Sequence, residues 1–219
     1  MSPAPLSQTA EDYLKEIYKL EVEHGRATTS ALAERVGVSP PSATAMVKKL
    51  ASLKLVRHER YKGVTLTEAG RKAAVEVIRH HRLLERYLAE TLGMAIEEVH
   101  AEADRLEHAL SEELEARIDR TLGFPTHDPH GDPIPDADLN LASEQLRSLD
   151  DLQPGERATV QRVPDEDSEL LRYLRSLDLV PGAPVQLVEA APFGGPLKVL
   201  ARGKERAVSR QLAAQIGVS

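Results

Sequence analysis

Two short helical segments joined by one glycine turn constrain the fold of this chain more than any other feature. Residues 28–37, TTSALAERVG, place Leu32 and Val36 four positions apart, with a threonine available as N-cap and Gly37 as stop signal. Residues 40–55 begin with two prolines, which suit the first turn of a helix because an N–H there needs no helical partner. The sequence therefore predicts two consecutive helices with a tight turn between them.

A predicted hairpin follows this pair of helices. Residues 56–67, VRHERYKGVTLT, have the pattern of two strands about the turn Tyr61-Lys62-Gly63. Another amphipathic helix is predicted over residues 8–24, before the pair. This order is typical of a winged helix-turn-helix domain, in which the second helix of the pair enters the major groove of DNA.

The charge pattern favours DNA as the partner of this domain. The whole chain has a net charge of −7, yet residues 35–72 contain nine lysines and arginines against two glutamates. The alternatives are a solvated basic surface and a protein-interaction module, both of which occur with this fold. Phosphate contacts from so many cations predict a strong salt dependence of DNA binding. The predicted DNA-contacting residues are Ser39, Pro41, Ser42, Thr44, Lys48, Lys49, Arg57, Arg60 and Lys62.

The composition excludes several classes of protein. The chain of 219 residues contains no cysteine, so disulfides and thiolate metal sites are ruled out. No stretch of 18 apolar residues is present, and the N-terminal segment lacks the pattern of a signal peptide. We therefore expect a soluble cytoplasmic protein without a membrane partner, in which histidine and carboxylate side chains bind any metal ion.

Ligand-type side chains concentrate in the middle of the chain. Residues 95–123 are predicted to form one continuous helix of about 40 Å, since no proline or internal glycine interrupts them. At about 100° per residue, the side chains of His100, Asp104, Glu107 and His108 would share one arc beside the apolar stripe. Four such groups on a half-covered flank are costly unless they are paired or bind a cation.

The preceding predicted helix, residues 67–93, offers similar chemistry. His81 and Glu85 lie four positions apart on it, beside an apolar face. Such a pair alone is usually a surface hydrogen bond, whereas two clusters on adjacent helices favour a metal site. A di-iron helical bundle would need more long helices and more Glu-x-x-His motifs than this chain has.

Taken in order, these segments closely resemble the diphtheria-toxin-repressor family of metal-dependent repressors. The resemblance rests on the winged helix, HRLLERYL, VHAEADRLEHALSEELEARI, the linker HDPHGDPIP and a glycine-punctuated C-terminal segment, and it covers nearly the whole chain. It implies a primary metal site formed by Asp12, Asp104, Glu107 and His108. It also implies a second, ancillary site formed by His81, Glu85 and His100, which the C-terminal domain completes in some members.

The resemblance also suggests further ligands and the identity of the metal. Asp128 and His130 match another metal site of some members, although a turn built from Asp, Pro and Gly explains them equally well. Asp165 and Glu166 are candidates for completing the ancillary site. Carboxylates at the positions of Asp12 and Asp104 favour Mn²⁺, with Fe²⁺ second.

One departure from the family pattern concerns the primary site. Lys15 stands where some two-metal manganese members have a carboxylate, which argues against a bridged pair of ions at that site.

The C-terminal segment reads as a separate small domain. Alternating strands are predicted at TVQRV, VQLVEA and LKVLARG, with one helix at about 167–177, and the pattern resembles the SH3-like barrel of the family. The predicted class is thus mainly α, or α+β. The predicted divisions are a winged helix-turn-helix domain at 1–74, a helical dimerisation and metal-binding domain at 75–140, a linker at 141–150 and an SH3-like domain at 151–219.

The combined expectation is a homodimeric, metal-dependent transcriptional repressor that binds an operator in double-stranded DNA and controls metal-ion homeostasis. Mn²⁺ or Fe²⁺ would act as corepressor, and no enzymatic activity is expected. Two alternatives remain at this point: a winged-helix regulator that responds to another ligand, and a metal-dependent hydrolase, which would need an open coordination position beside a substrate pocket.

Overall fold

The computed structural model describes residues 6–59, 63–165 and 167–219. The chain forms two compact units. Unit 1 contains the described part of Met1–His80 together with Glu107–Leu110 and Pro135–Leu141. Unit 2 contains His81–Leu106, Ser111–Ile134 and the described part of Ala142–Ser219. The predicted domain boundaries follow a different division and stay predictions.

The three N-terminal helices of unit 1 confirm the predicted helix order. They are α1, Gln8–His24; α2, Thr29–Val36; and α3, Pro40–Ser52. Thr28 caps α2 by accepting a hydrogen bond from the backbone N–H of Ala31, and Gly37 ends α2 in the left-handed conformation that glycine tolerates. Side chains such as Leu14, Leu32 and Leu50 are fully buried and form one core.

The predicted hairpin is also present in unit 1. Strand β1, Val56–Glu59, pairs antiparallel with β2, Gly63–Leu66. A bridge between Ala27 and Val64 fastens this hairpin to the chain before α2. The predicted winged helix-turn-helix is therefore confirmed, although the turn residues 60–62 lie outside the described residues.

The prediction of one continuous helix over residues 95–123 is wrong. Helix α4, Glu68–Glu90, is long as expected, but the next segment divides into α5, Ile96–Leu106, a 3₁₀ turn, Glu107–Ala109, and α6, Glu112–Thr121. Ser111 starts a new helix by accepting a hydrogen bond from the N–H of Leu114. The angular argument that placed Glu107 and His108 on the arc of His100 therefore does not apply.

The C-terminal part of unit 2 is mainly β. Six strands are ordered β3-β8-β4-β5-β6-β7, all antiparallel, around a separate core that includes Leu187, Val199 and Ile216. The predicted strands and helix are confirmed, and three further strands and a short helix were not predicted. The elements are β3, Arg147–Ser148; β4, Arg157–Arg162; α7, Ser168–Ser176; β5, Pro184–Ala190; β6, Leu197–Ala201; β7, Lys204–Val208; α8, Arg210–Ala213; and β8, Gly217–Val218. A 3₁₀ turn, Leu149–Asp151, follows β3.

Within the described ranges, none of the helices has the length and apolar character needed to cross a membrane.

Candidate metal centres

Unit 1 contains one cluster of metal-ligand side chains. Asp12, Glu107 and His108 each direct a ligand atom into a space where these atoms lie within 4.8 Å of one another. His108 Nε2 lies 2.8 Å from Asp12 Oδ1, and His108 Nδ1 lies 2.7 Å from Glu11 Oε2. If Nδ1 carries the proton and donates to Glu11, the lone pair of Nε2 faces Asp12 and is available to a cation.

Lys15 pairs with one of the two carboxylates of this cluster, that of Glu107. Lys15 Nζ donates a hydrogen bond of 2.7 Å to Glu107 Oε1, and the Glu107 side chain is completely buried. The backbone carbonyl of Glu107 also lies 3.1 Å from His80 Nδ1. Two buried contacts thus fix the 3₁₀ turn in unit 1. The sequence had marked Lys15 as a departure from the family pattern, but its partner lies 92 positions away and was not predicted.

Unit 2 contains a second cluster, formed by α4 and α5. Glu85 Oε1 lies 3.0 Å from both His81 Nε2 and His100 Nδ1. The carboxylate of Asp104 lies 3.3 Å from His81 Nδ1. The structure thus brings together the three predicted ancillary ligands and groups Asp104 with them in unit 2. The assignment of Asp104 to the Asp12 cluster stays a prediction.

The other oxygen of Glu85 faces a third cluster, which combines Glu85 with Asp128 and His130. His130 Nδ1 lies 3.6 Å from Glu85 Oε2, and His130 Nε2 contacts the carbonyl oxygen of Ile96 at 2.9 Å. Because that carbonyl accepts a hydrogen bond from Nε2–H, the neutral imidazole presents the lone pair of Nδ1 to the cluster.

The turn 127–133 has a backbone that positions this third cluster. Asp128 Oδ1 accepts three backbone hydrogen bonds of 2.8 to 3.0 Å from the N–H groups of residues 130, 131 and 132. Gly131 has a φ of +96°, and a Cβ atom there would lie 1.8 Å from the carbonyl oxygen of Gln161. Only glycine can occupy this position without moving the backbone.

Three atoms of the third cluster lack a hydrogen-bond partner among the described residues. They are Glu85 Oε2, Asp128 Oδ2 and His130 Nδ1, all buried. The guanidinium of Arg82 approaches Asp128 Oδ2, but its Nε stays 3.7 Å away. Buried polar atoms normally have partners, so three converging unpaired atoms indicate a site built to bind a ligand. Two carboxylate oxygens and an imidazole nitrogen suit Mn²⁺ or Fe²⁺.

The electrostatics of the third cluster suit the binding of a cation. Burial and the neighbouring carboxylate of Glu85 raise the pKa of Asp128 to about 7. Burial lowers the pKa of His130, but the facing carboxylate of Glu85 more than offsets this and raises it to about 9. Burial also acts to raise the pKa of Glu85, yet the surrounding histidines hold it well below its usual range. Without a cation, the proton on His130 faces the carboxylate of Glu85, and a metal ion that binds His130 Nδ1 would displace this proton.

The C-terminal domain contributes two predicted candidate ligands, Asp165 and Glu166. Asp165 Oδ2 lies 3.8 Å from His100 Nδ1 and groups with Glu85 and His100, whereas the candidate Glu166 lies outside the described residues.

Among the predicted DNA-contacting residues, Ser39 caps α3, and the side chain of Thr44 donates to the carbonyl of Pro40. The exposed members are Ser39, Pro41, Ser42, Lys48, Lys49 and Arg57, while Thr44 is half-buried and Arg60 and Lys62 are not among the described residues.

Sequence reasoning missed one side chain that contacts the unit 1 cluster. Glu11 precedes Asp12 directly, and its carboxylate orients His108 at 2.7 Å. Nothing in the local pattern distinguishes Glu11 from any other acidic residue in the first turn of a helix.

Comparison with known families covers almost the whole chain. The family model described as "Iron dependent repressor, N-terminal DNA binding domain" matches residues 5–64. The model described as "Iron dependent repressor, metal binding and dimerisation domain" matches residues 67–136, and "FeoA domain" matches residues 147–219. The mainly α architecture with a small SH3-like C-terminal domain is thereby confirmed.

Individual relatives match over most of their own length. The iron-dependent repressor IdeR of Mycobacterium leprae is 36% identical over 208 residues, which cover 89% of this chain and 90% of that protein. The diphtheria toxin repressor of Corynebacterium efficiens is 34% identical over 194 residues, 84% of each chain. A solved structure described as a manganese-dependent transcriptional repressor in complex with manganese has a TM-score of 0.85 at 41% identity, covering 95% of this chain and 98% of that one. The chain belongs to the diphtheria-toxin-repressor family of metal-dependent transcriptional regulators.

Proposed function

We propose that this protein is a DNA-binding transcriptional repressor with Mn²⁺ or Fe²⁺ as corepressor, and that it controls metal-ion homeostasis. The observation that carries the proposal is the cluster of Asp12, Glu107 and His108 in unit 1, the same unit that contains α3. Asp12 lies on α1, and the core of unit 1 buries side chains of α1 and α3 together. A ligand of this cluster therefore acts on the body that holds the DNA-contacting helix.

The ligands have distinct roles. The carboxylate of Asp12 and the imidazole of His108 would both bind the divalent cation. Glu11 orients the imidazole, and Lys15 holds the Glu107 side chain in place. Engagement of Asp12 and His108 by one ligand joins the segment Glu107–Leu110 to α1 more firmly than the hydrogen bond of 2.8 Å does alone. The DNA-binding unit thereby becomes better ordered, which raises its affinity for an operator.

The donor set favours Mn²⁺ over Fe²⁺. The similar proteins include both an iron-dependent repressor and a manganese-dependent repressor. The described candidate ligands are carboxylates and imidazoles, and the chain has no cysteine. Oxygen-rich sites suit Mn²⁺, which is a weak competitor for softer ligands. We therefore expect Mn²⁺ to be the stronger corepressor in vitro, with Fe²⁺ second.

The proposal extends to the partners and the compartment. The protein acts as a homodimer on a pseudo-palindromic duplex, because two copies of a helix-turn-helix unit read two half-sites. It acts in the cytoplasm, where the operator DNA is present, and it has no catalytic role.

Fluorescence anisotropy on duplex DNA tests the proposal. A random-sequence duplex library is first enriched with the full chain in Mn²⁺, and the enriched duplex is then titrated in Mn²⁺, in Fe²⁺ under anaerobic conditions and in EDTA. We expect DNA binding to be about 5- to 150-fold tighter with Mn²⁺ than with EDTA, the range typical of coupling between sites. Asp12→Asn and His108→Ala should lose most of this difference.

Glu189→Gln is the matched control, because Glu189 is an exposed carboxylate in β5 and should leave the metal response unchanged. Equal DNA affinity of the wild-type protein with Mn²⁺ and with EDTA would contradict the proposal. The same result would favour a regulator that responds to another ligand.

A further inference from the structure

We propose that Glu85 is a bridging ligand that joins two divalent cations in unit 2 into one centre, so that the two ions do not bind independently. The inference rests on the proposed function, because it requires unit 2 to bind metal. It adds a shared ligand between two candidate sites that would otherwise be separate.

The two oxygens of the Glu85 carboxylate face different sets of ligands. Oε1 lies 3.0 Å from nitrogen atoms of His81 and His100, on α4 and α5. Oε2 faces Asp128 and His130 in the turn 127–133. Glu85 is completely buried, so water cannot serve either oxygen freely. Each oxygen is therefore directed to its own candidate ion.

The unpaired atoms show that the second side is built for a ligand. Glu85 Oε2, Asp128 Oδ2 and His130 Nδ1 have no hydrogen-bond partner in the described part of the chain, and both Asp128 and His130 are at least 98% buried. The other atom of each side chain is already used: Asp128 Oδ1 accepts backbone N–H groups, and His130 Nε2 contacts the Ile96 carbonyl. The remaining atoms are thus held in place and point towards one another.

The charge balance favours two cations over one. Four carboxylates belong to the two sides, and they are Glu85, Asp104, Asp128 and Asp165. Asp132 adds a fifth carboxylate next to the turn, where its backbone N–H donates to Asp128 Oδ1. Arg82 and Arg162 provide two positive charges, both beside Asp132, and Arg82 also approaches Asp128. With neutral histidines the remaining charge is about −3, which a single divalent cation does not neutralise.

A shared carboxylate makes the two bindings dependent on each other. An ion on the His81 and His100 side fixes the carboxylate plane and thereby sets the position of Oε2 for the other ion. Removal of a ligand from one side should then change the Mn²⁺ affinity of the other side by at least about fivefold, the lower end of typical coupling between sites.

Mn²⁺ binding to the full chain tests this inference by calorimetry and by electron paramagnetic resonance. The background variant Asp12→Asn removes a ligand of the unit 1 cluster and leaves unit 2 unchanged. We expect two ions in unit 2 and a broadened, spin-coupled signal. His130→Ala should bind one ion fewer, give an isolated six-line signal and change the affinity of the remaining unit 2 ion. His100→Ala should affect the Asp128 side in the same way.

Glu85→Gln is the decisive variant, with Glu97→Gln on α5 as its matched control. Glu85→Gln should weaken the binding of both unit 2 ions, whereas Glu97→Gln should weaken neither, because Glu97 pairs with Arg175. Circular dichroism checks that Glu85→Gln folds, and the histidine variants test the inference if it does not. Loss of only one ion in Glu85→Gln would overturn the inference, as would an unchanged affinity of the remaining ion in His130→Ala.

The outcomes also separate this inference from the proposed function. Two independent unit 2 ions, together with a normal Mn²⁺ response in DNA binding, would refute the bridge alone. A wild-type chain that binds no Mn²⁺ would refute both.

Discussion

Unit 1 and unit 2 each bury a glutamate beside histidines, but they stabilise it in different ways. In unit 1 the ammonium of Lys15 contacts Glu107 at 2.7 Å, so the carboxylate has a permanent cationic partner. In unit 2 the partners of Glu85, within the described residues, are histidines, and its Oε2 has no hydrogen-bond partner. The buried carboxylate of unit 1 is therefore paired with a permanent cation, whereas that of unit 2 relies on histidines, whose charge depends on their protonation.

The largest expected effect is a loss of stability when Lys15 of unit 1 is replaced. Lys15→Met should destabilise the metal-free protein by about 3–5 kcal/mol, because it removes the ammonium group that faces the buried carboxylate of Glu107. The free energy of unfolding is measured by urea denaturation in EDTA. Lys19→Met is the control, since Lys19 pairs with Glu16 near the surface and should contribute less than about 1 kcal/mol. A similar small change for both variants would mean that Lys15 does not compensate Glu107.

The second prediction concerns unit 2, where a substitution should raise the free energy of unfolding instead of lowering it. Asp128→Asn should stabilise the metal-free protein at pH 8 by about 1–3 kcal/mol, because it removes a buried charge whose Oδ2 has no hydrogen-bond partner. The amide oxygen can still accept the backbone N–H groups of the turn.

The pH dependence gives this prediction its sign. The pKa of Asp128 rises from its ordinary value of 3.8 to about 7 in the folded protein. The stability linked to this proton is therefore fully present below pH 4 and is lost as the pH rises through about 7. Asp128→Asn should match the wild type near pH 4, exceed it above pH 7 in EDTA, and gain less stability than the wild type from Mn²⁺. If Asp128→Asn is less stable than the wild type at pH 8 in EDTA, the difference drawn between the two units is wrong.

The smallest effect sharpens the role of the histidine in unit 1. Glu11→Gln should weaken Mn²⁺ binding at the unit 1 cluster by about tenfold, because outer carboxylates orient a histidine ligand and make it more basic. The glutamine still offers an amide oxygen to Nδ1, which keeps the loss near the lower end of the usual range. Calorimetry in a Glu85→Gln background isolates this cluster, and an unchanged affinity would assign Glu11 a purely structural role.

Local signals explain how much of the fold was predictable. Thr28, Gly37 and Pro40 each determine a helix end through their own backbone chemistry, and the structure has helix ends there. The break after α5 had a signal as well, since Ser111 followed by two glutamates is a helix-start pattern, but the absence of glycine and proline outweighed it.

The geometry of the candidate site was less accessible to sequence reasoning. His81 and Glu85 are one helical turn apart, so their contact follows from periodicity. The partnership of Lys15 and Glu107 spans 92 positions, and the use of both Glu85 oxygens depends on where the turn 127–133 lies. Such contacts arise from tertiary packing, which residue spacing does not specify.

Gly131 has a consequence for recognising the third cluster in other chains. Because the carbonyl of Gln161 occupies the space of its absent side chain, this position accepts no other residue without displacing the backbone that holds Asp128 and His130. A related sequence that keeps both ligands but replaces this glycine should have a displaced turn and a weakened third cluster. The residue that best identifies this candidate metal centre from sequence is thus a glycine, which cannot itself bind a metal through a side chain.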